Sequence, residues 1–141
     1  MTYAADDHGY RHECLTRHSC TERQVLRRIG WSARKRGRRG SLVVCDLVYA
    51  ELCIHFNTQS ECDRFLQGND IRVEALNSEA HFLASRVWRA YRKQGGPRAR
   101  ILADFLIGAH ARVQASRLLS RDRGFYRKLF PALSLIDPSN I

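Results

Sequence analysis

Nowhere in this chain do apolar residues run for the roughly 18–20 positions that a membrane span requires. The N-terminus has no apolar signal-peptide core, so the expected compartment is the cytoplasm. The five cysteines are odd in number, irregular in spacing and form no CxxC pair. That favours a reduced protein with incidental thiols over a disulfide framework. Cys45 and Cys53 lie in apolar runs and read as small core residues. His8, His12, Cys14, His18 and Cys20 crowd together, but their spacings match no common structural zinc pattern. No internal repeat is visible, and the absence of a helix-turn-helix pattern argues against a DNA-binding repressor. Acidic residues are scarce: 14 Asp and Glu against 24 Lys and Arg leave a net charge of +10, which points to a polyanionic partner.

The chain does have the length and the 44% hydrophobic content of one folded domain. Its positive charge is uneven. Residues 1–40 carry ten Lys and Arg against four Asp and Glu, and include the low-complexity stretch WSARKRGRRG at 31–40. The arginine run at 34–39 suits phosphate contacts and a solvated basic loop equally well. From Ser41 onward the pattern becomes regular. Residues 42–45 (LVVC) form the fully apolar run of a buried parallel strand, and Asp46 is placed to cap a helix over 47–56. A second helix is expected over 59–66, a strand over 71–76, and a long helix from Asn77 or Ser78 to about Lys93, stopped by Gln94-Gly95-Gly96-Pro97. A helix ending near Gln114, a strand over 117–120, a short helix over 124–129 and a strand over 133–136 follow. Residues 2–5 fit a short first strand ending at Asp6. Strands alternating with helices indicate a doubly wound α/β domain with a mainly parallel sheet, in which ligands gather beyond the carboxyl ends of the strands.

Four carboxylates are candidates for chemistry. Asp104 sits inside the apolar run ILADFLIGAHA at 101–111, Glu51 interrupts another helical stretch, and Asp122 and Asp6 each follow a strand-like run. A carboxylate among apolar neighbours costs several kcal/mol unless compensated, and a bound cation is one compensation. Hard ions such as Mg²⁺ and Mn²⁺ take oxygen ligands, and three or four carboxylates at strand ends suit one or two of them. Three of these acids have a plainer reading: Glu51 at the edge of a helix face, Asp122 as a helix cap, Asp6 interchangeable with Asp7. Asp104, with Leu102, Phe105, Leu106 and Ile107 around it, is the hardest to dismiss. His110 falls six residues after Asp104, roughly 600° round the helix and off its face, so packing suits it better than catalysis. Trp88 and Tyr91 read as core or dimer contacts. Arg98, Arg100, Arg121 and Arg123 lie close in sequence to Asp104 and Asp122, where they suit RNA phosphates or the acids themselves.

The stretches 42–52 (LVVCDLVYAEL), 95–111 (GGPRARILADFLIGAHA), 118–122 (LLSRD) and 126–138 (YRKLFPALSLIDP) resemble the PIN-domain ribonuclease family, and closely its VapC-type toxins. The resemblance covers roughly the last hundred residues. It implies a single PIN-like domain over 1–141, with a central, mainly parallel sheet flanked by helices. It further implies a Mg²⁺-dependent (or Mn²⁺-dependent) endoribonuclease acting as a toxin, with an RNA substrate, a VapB-type antitoxin as partner and a homodimeric state. On the family's pattern Asp6, Glu51, Asp104 and Asp122 are the metal-binding acids, and Ser120 takes the hydroxyl position two residues before the last of them.

The N-terminus departs from that pattern. Residues 7–40 are divergent and strongly basic: Asp7 replaces the hydroxyl residue after the first acid, and GYRHE at 9–13 replaces an apolar helix. An altered reading frame over residues 7–30 would give such a segment. Two functions follow, a metal-dependent endoribonuclease toxin or an impaired remnant that only binds antitoxin or RNA.

Overall fold

The computed structural model describes residues 42–97, 102–120 and 123–137, with the Arg123 side chain left out. The strand expected at 2–5, the basic segment and the His/Cys cluster lie outside these residues. The architecture is α/β. In chain order come β1 (Leu42–Cys45), α1 (Asp46–Cys53), α2 (Gln59–Gly68), β2 (Ile71–Glu74), α3 (Ser78–Lys93), α4 (Leu102–Gln114), β3 (Arg117–Leu119), α5 (Arg123–Leu129) and β4 (Ser134–Ile136).

Every residue of β1 is buried, as its unbroken apolar sequence requires of a strand covered on both faces. It pairs in parallel with β2, Leu42 opposite Ile71 and Cys45 opposite Glu74. β3 pairs in parallel with β4, Arg117 opposite Ser134 and Leu119 opposite Ile136. Parallel neighbours need a crossover, supplied by α1 and α2 in the first pair and by α5 in the second. Among the described residues the strands form these two separate pairs rather than one central sheet.

Helix boundaries follow local chemistry. Asp46 is not the cap of α1, as expected, but its first residue; Cys45 holds the cap position without a side-chain bond, and the Asp46 carboxylate instead accepts from the Leu47 N–H at 3.1 Å. The helix ends at Cys53 rather than near Phe56. At the start of α2 the Thr58 hydroxyl accepts from the Glu61 N–H at 3.2 Å, while Glu61 reaches back to the Asn57 N–H at 3.1 Å, a near-relative of the capping box. Asn77 caps α3, accepting from the Ala80 N–H at 2.8 Å. That helix stops at Gln94 with a Schellman arrangement. Gly95 N–H donates to Arg92 O at 3.2 Å and Gly96 N–H to Tyr91 O at 3.0 Å, and Gly95 takes φ 77°, a conformation other residues resist.

One hydrophobic cluster includes residues from both strand pairs and all five helices. Its centre is aromatic: Tyr91 of α3 meets Phe105 of α4 at 5.3 Å, and Phe105 meets Phe125 of α5 edge-on at 5.3 Å. Helices α3 and α4 are antiparallel. The Tyr91–Phe105 contact joins the end of one to the start of the other. At the opposite ends, Gln114 accepts from the Asn77 N–H at 2.9 Å and donates to Glu74 at 2.8 Å. Helix α4 comes close to Phe130 because Gly108 has no side chain; a Cβ there would lie 2.4 Å from the ring.

Candidate functional site

Glu51 lies on α1 at the border of the stripe formed by Val48 and Leu52, both fully buried, and is itself half-buried. The edge position expected from its helix is therefore observed. Asp104 lies in the first turn of α4, half-buried, above the buried small residues Gly108 and Ala111 that continue its face at helical spacing. Partial exposure and the first-turn position both lower the cost that the apolar sequence suggested. The helix N-terminus favours a carboxylate there by about 0.3–1 kcal/mol. Helices α1 and α4 pack against each other, so the fold brings together the elements that carry Glu51 and Asp104.

Ser120 follows β3 directly and is fully buried, its backbone N–H donating to Ile136 O at 2.9 Å. A hydroxyl so enclosed suits orienting a neighbouring carboxylate better than meeting solvent or substrate. Asp122 and Asp6 lie outside the described residues, as do Arg98, Arg100 and Arg121. Among the described residues, no three His, Cys, Asp or Glu side chains converge as metal ligands would.

The donor chemistry at Glu51 and Asp104 nonetheless suits a hard cation. Both offer carboxylate oxygens and both keep part of their surface open, as Mg²⁺ demands when it retains several waters.

His110 plays no part in this pair. It points away from the face of Asp104 and is fully buried, and neither ring nitrogen has a hydrogen-bond partner among the described residues. Burial pushes its pKa below the ordinary 6.5, against a smaller upward pull from Glu74 and Asp46. It is a neutral core residue, in keeping with the packing role expected of it.

Other contacts were not apparent from the sequence. The Tyr49 hydroxyl donates to Asp63 at 2.8 Å, tying α1 to α2 and raising the tyrosine pKa through that bond. Cys53 and Cys62 meet across the same helix pair with sulfurs 3.6 Å apart, and burial pushes the Cys62 thiol up to about 12. Cys45 is the core residue it was expected to be, its thiol raised to about 11 by burial. Trp88 and Tyr91, grouped together by sequence, separate in space. Tyr91 joins the core aromatics, whereas Trp88 is 40% exposed. Helical spacing gave no warning of this, since Trp88 follows Ala84 by four residues and borders the stripe of Ala80, Ala84, Val87 and Tyr91.

No curated protein gave a match to the chain. The PIN domain family matches residues 21–130, a span that contains Glu51, Asp104, Ser120 and Asp122 and leaves Asp6 outside. With that match over most of its length, the chain belongs to the PIN domain family, whose members are generally nucleases.

Proposed function

We propose that the chain is a metal-dependent endoribonuclease of the VapC type, a toxin held in check by a VapB-type antitoxin. The observation that carries this reading is the pair of half-buried carboxylates, Glu51 and Asp104, on two helices packed together within a PIN domain. In this reading Glu51, Asp104 and Asp122, with Asp6 as a fourth ligand, hold Mg²⁺ or Mn²⁺. A bound ion of this kind lowers the pKa of its water and stabilises the charge that develops on a phosphodiester. The carboxylates would hold and orient such an ion. Ser120, buried two residues before Asp122, acts as a positioning residue for that carboxylate. The homodimer implied by the resemblance and the cytoplasmic location expected from the N-terminal sequence belong to the same proposal.

Incubating the purified chain with RNA oligonucleotides should give internal cleavage with Mg²⁺ and none when EDTA replaces the metal. Induced expression should arrest growth of a bacterial host. Cleavage that persists in EDTA would exclude the metal-dependent mechanism.

A second reading is favoured by one finding: the family match begins at residue 21 and excludes Asp6. A chain with only three of the four acids would bind RNA or antitoxin with impaired cleavage. Restoring a family-like strand, acid and apolar helix before residue 31 should then raise activity. If activity stays the same, this second reading falls.

A further inference from the structure

Helix α3 presents its inner residues Ala80 and Ala84 to the core and turns a very different face outward. Along that outer face Phe82, Arg86, Arg89 and Lys93 follow one another at helical spacing, with Ser85, Trp88 and Arg92 beside them. Together they line a depression of about 600 Å³ that contains no acidic residue among the described residues. The one acid of this helix, Glu79, lies a turn before Phe82 and lines a different hollow with Leu83 and Val87. Two large aromatic side chains are left open on this basic ground, Phe82 at 68% and Trp88 at 40% exposure.

Isolated exposed aromatics are ordinary, but two of them interleaved with four cations select among partners. A second copy of the chain is disfavoured. An isologous interface sets the same patch against itself, so four cations would face four with no acid between them. Membrane burial is disfavoured by the arginines spread through the patch. A single-stranded nucleic acid offers what the face lacks, a negative charge and an exposed π-surface in every unit. Direction supports the same partner. The Arg92–Lys93 end of α3 is the end at which Tyr91 touches Phe105, next to Asp104. A strand laid along the helix therefore runs toward the candidate carboxylates.

We propose that the outer face of α3 is a docking surface for single-stranded RNA. Bases stack on Trp88 and Phe82, and phosphates pair with Arg86, Arg89 and Lys93. The proposal deepens the nuclease reading by giving the substrate a path to Asp104, and it rests on that reading for the path alone.

The test is fluorescence anisotropy with a labelled single-stranded 12-mer oligoribonucleotide in EDTA, so that binding is read without cleavage. Trp88→Ala should weaken binding about 5- to 150-fold, the range found for one stacked base. Arg89→Glu and Arg86→Glu should each weaken binding and flatten the logarithmic salt dependence by about 0.7 for each phosphate no longer neutralised. Arg64→Glu, an equal charge change at an exposed site on α2, should have a much smaller effect. Equal losses for Arg64→Glu and Arg89→Glu would reduce the effect to net charge and overturn the proposal. So would displacement of the RNA by poly-glutamate at equal charge concentration with no dependence on Trp88, which would assign the face to an acidic peptide. Light scattering that shows Trp88→Ala dissociating a dimer, with RNA affinity unchanged, would assign it to self-association and overturn the proposal too. Binding that depends on α3 in a chain that cleaves nothing with Mg²⁺ would sink the nuclease reading and leave the docking surface standing. Cleavage by a chain whose α3 variants bind like the wild type would do the reverse.

Discussion

Helices α3 and α4 lie antiparallel against each other, yet they are built on opposite plans. In α4 six residues are buried, from Phe105 through Ala111, and the only acid stands in the first turn. In α3 only Ala80 and Ala84 are fully buried, and the outward half carries Arg86, Arg89, Arg92 and Lys93. A helix enclosed on most sides can hold a carboxylate in a fixed place, because its neighbours leave it little freedom. A helix open on one side can gather a long polyanion, because its cations are free to adapt. In the proposed nuclease these are complementary tasks, positioning the chemistry and gathering the substrate. The contrast also predicts how each helix responds to substitution. Changes in α4 should act on cleavage or on the core, and changes in α3 should act on binding or on local helix stability.

The largest expected effect is at the acid. Asp104→Asn removes a negative charge while keeping the shape of the side chain. Cleavage with Mg²⁺ should fall at least about a hundredfold, the upper end of what loss of an outer partner costs a metal site. Thermal stability should change little, since the favourable helix-terminus interaction is worth only about 0.3–1 kcal/mol. Cleavage that survives Asp104→Asn would break the assignment of chemistry to α4.

Next comes the packing of α4. Gly108→Ala adds a methyl group where the Phe130 ring stands 2.4 Å from the new carbon. Alanine gains about 1 kcal/mol over glycine in a helix, but overpacking typically costs about 1–3 kcal/mol. Net destabilisation is expected because an aromatic ring has no flexible end to move aside. Calorimetry should show Tm a few degrees lower, and Phe130→Leu in the same chain should recover part of the loss. A raised Tm would mean that α4 is less tightly enclosed than its contrast with α3 requires.

Acid should then separate α4 from its surroundings. His110 is buried and neutral, its pKa held below 6.5 chiefly by burial. The unfolded chain takes up a proton on this ring near pH 6.5, whereas the folded chain resists it. The stability associated with neutral His110 is therefore complete above about pH 6.5 and declines as pH falls toward the lower folded pKa. The slope cannot exceed about 1.4 kcal/mol per pH unit for one group. Urea unfolding at pH 7.5 and pH 5.5 should show this loss in the wild type and a smaller one in His110→Leu. Equal losses would show that the acid sensitivity arises elsewhere.

These expectations also show what could be read from the sequence. The strand at 42–45, the stop at Gln94-Gly95-Gly96-Pro97 and the helix carrying Asp104 were legible because each rests on local chemistry, an apolar run, a left-handed glycine or helical spacing. Asp46 resembles a cap in the sequence because nothing local distinguishes a capping aspartate from one in the first turn; both accept from nearby backbone N–H groups. The Tyr49–Asp63 bond and the Cys53–Cys62 contact were not legible, since they depend on how α1 crosses α2. Of the candidate site, Glu51 and Asp104 were legible as interruptions of apolar runs. The packing of their helices was not, because a sequence pattern assigns a residue to a face without saying which element covers it.

The smallest effect should fall on α3, where the difference between the helices is finest. Asn77 holds the start of this helix through its side-chain oxygen, which accepts from the Ala80 N–H at 2.8 Å. Asn77→Ala leaves the backbone N–H that donates to Gln114 in place, so the junction with α4 survives while the cap is removed. Removing a cap typically costs about 1 kcal/mol. Hydrogen exchange should quicken in the first turn of α3 and stay slow in α4, because α4 is held by burial along most of its length rather than by its ends. RNA affinity should fall only slightly, since Arg86, Arg89 and Lys93 lie two or more turns from the cap. Faster exchange throughout α4 would show that the two helices open as one unit. The enclosed helix would then owe its rigidity to the open one.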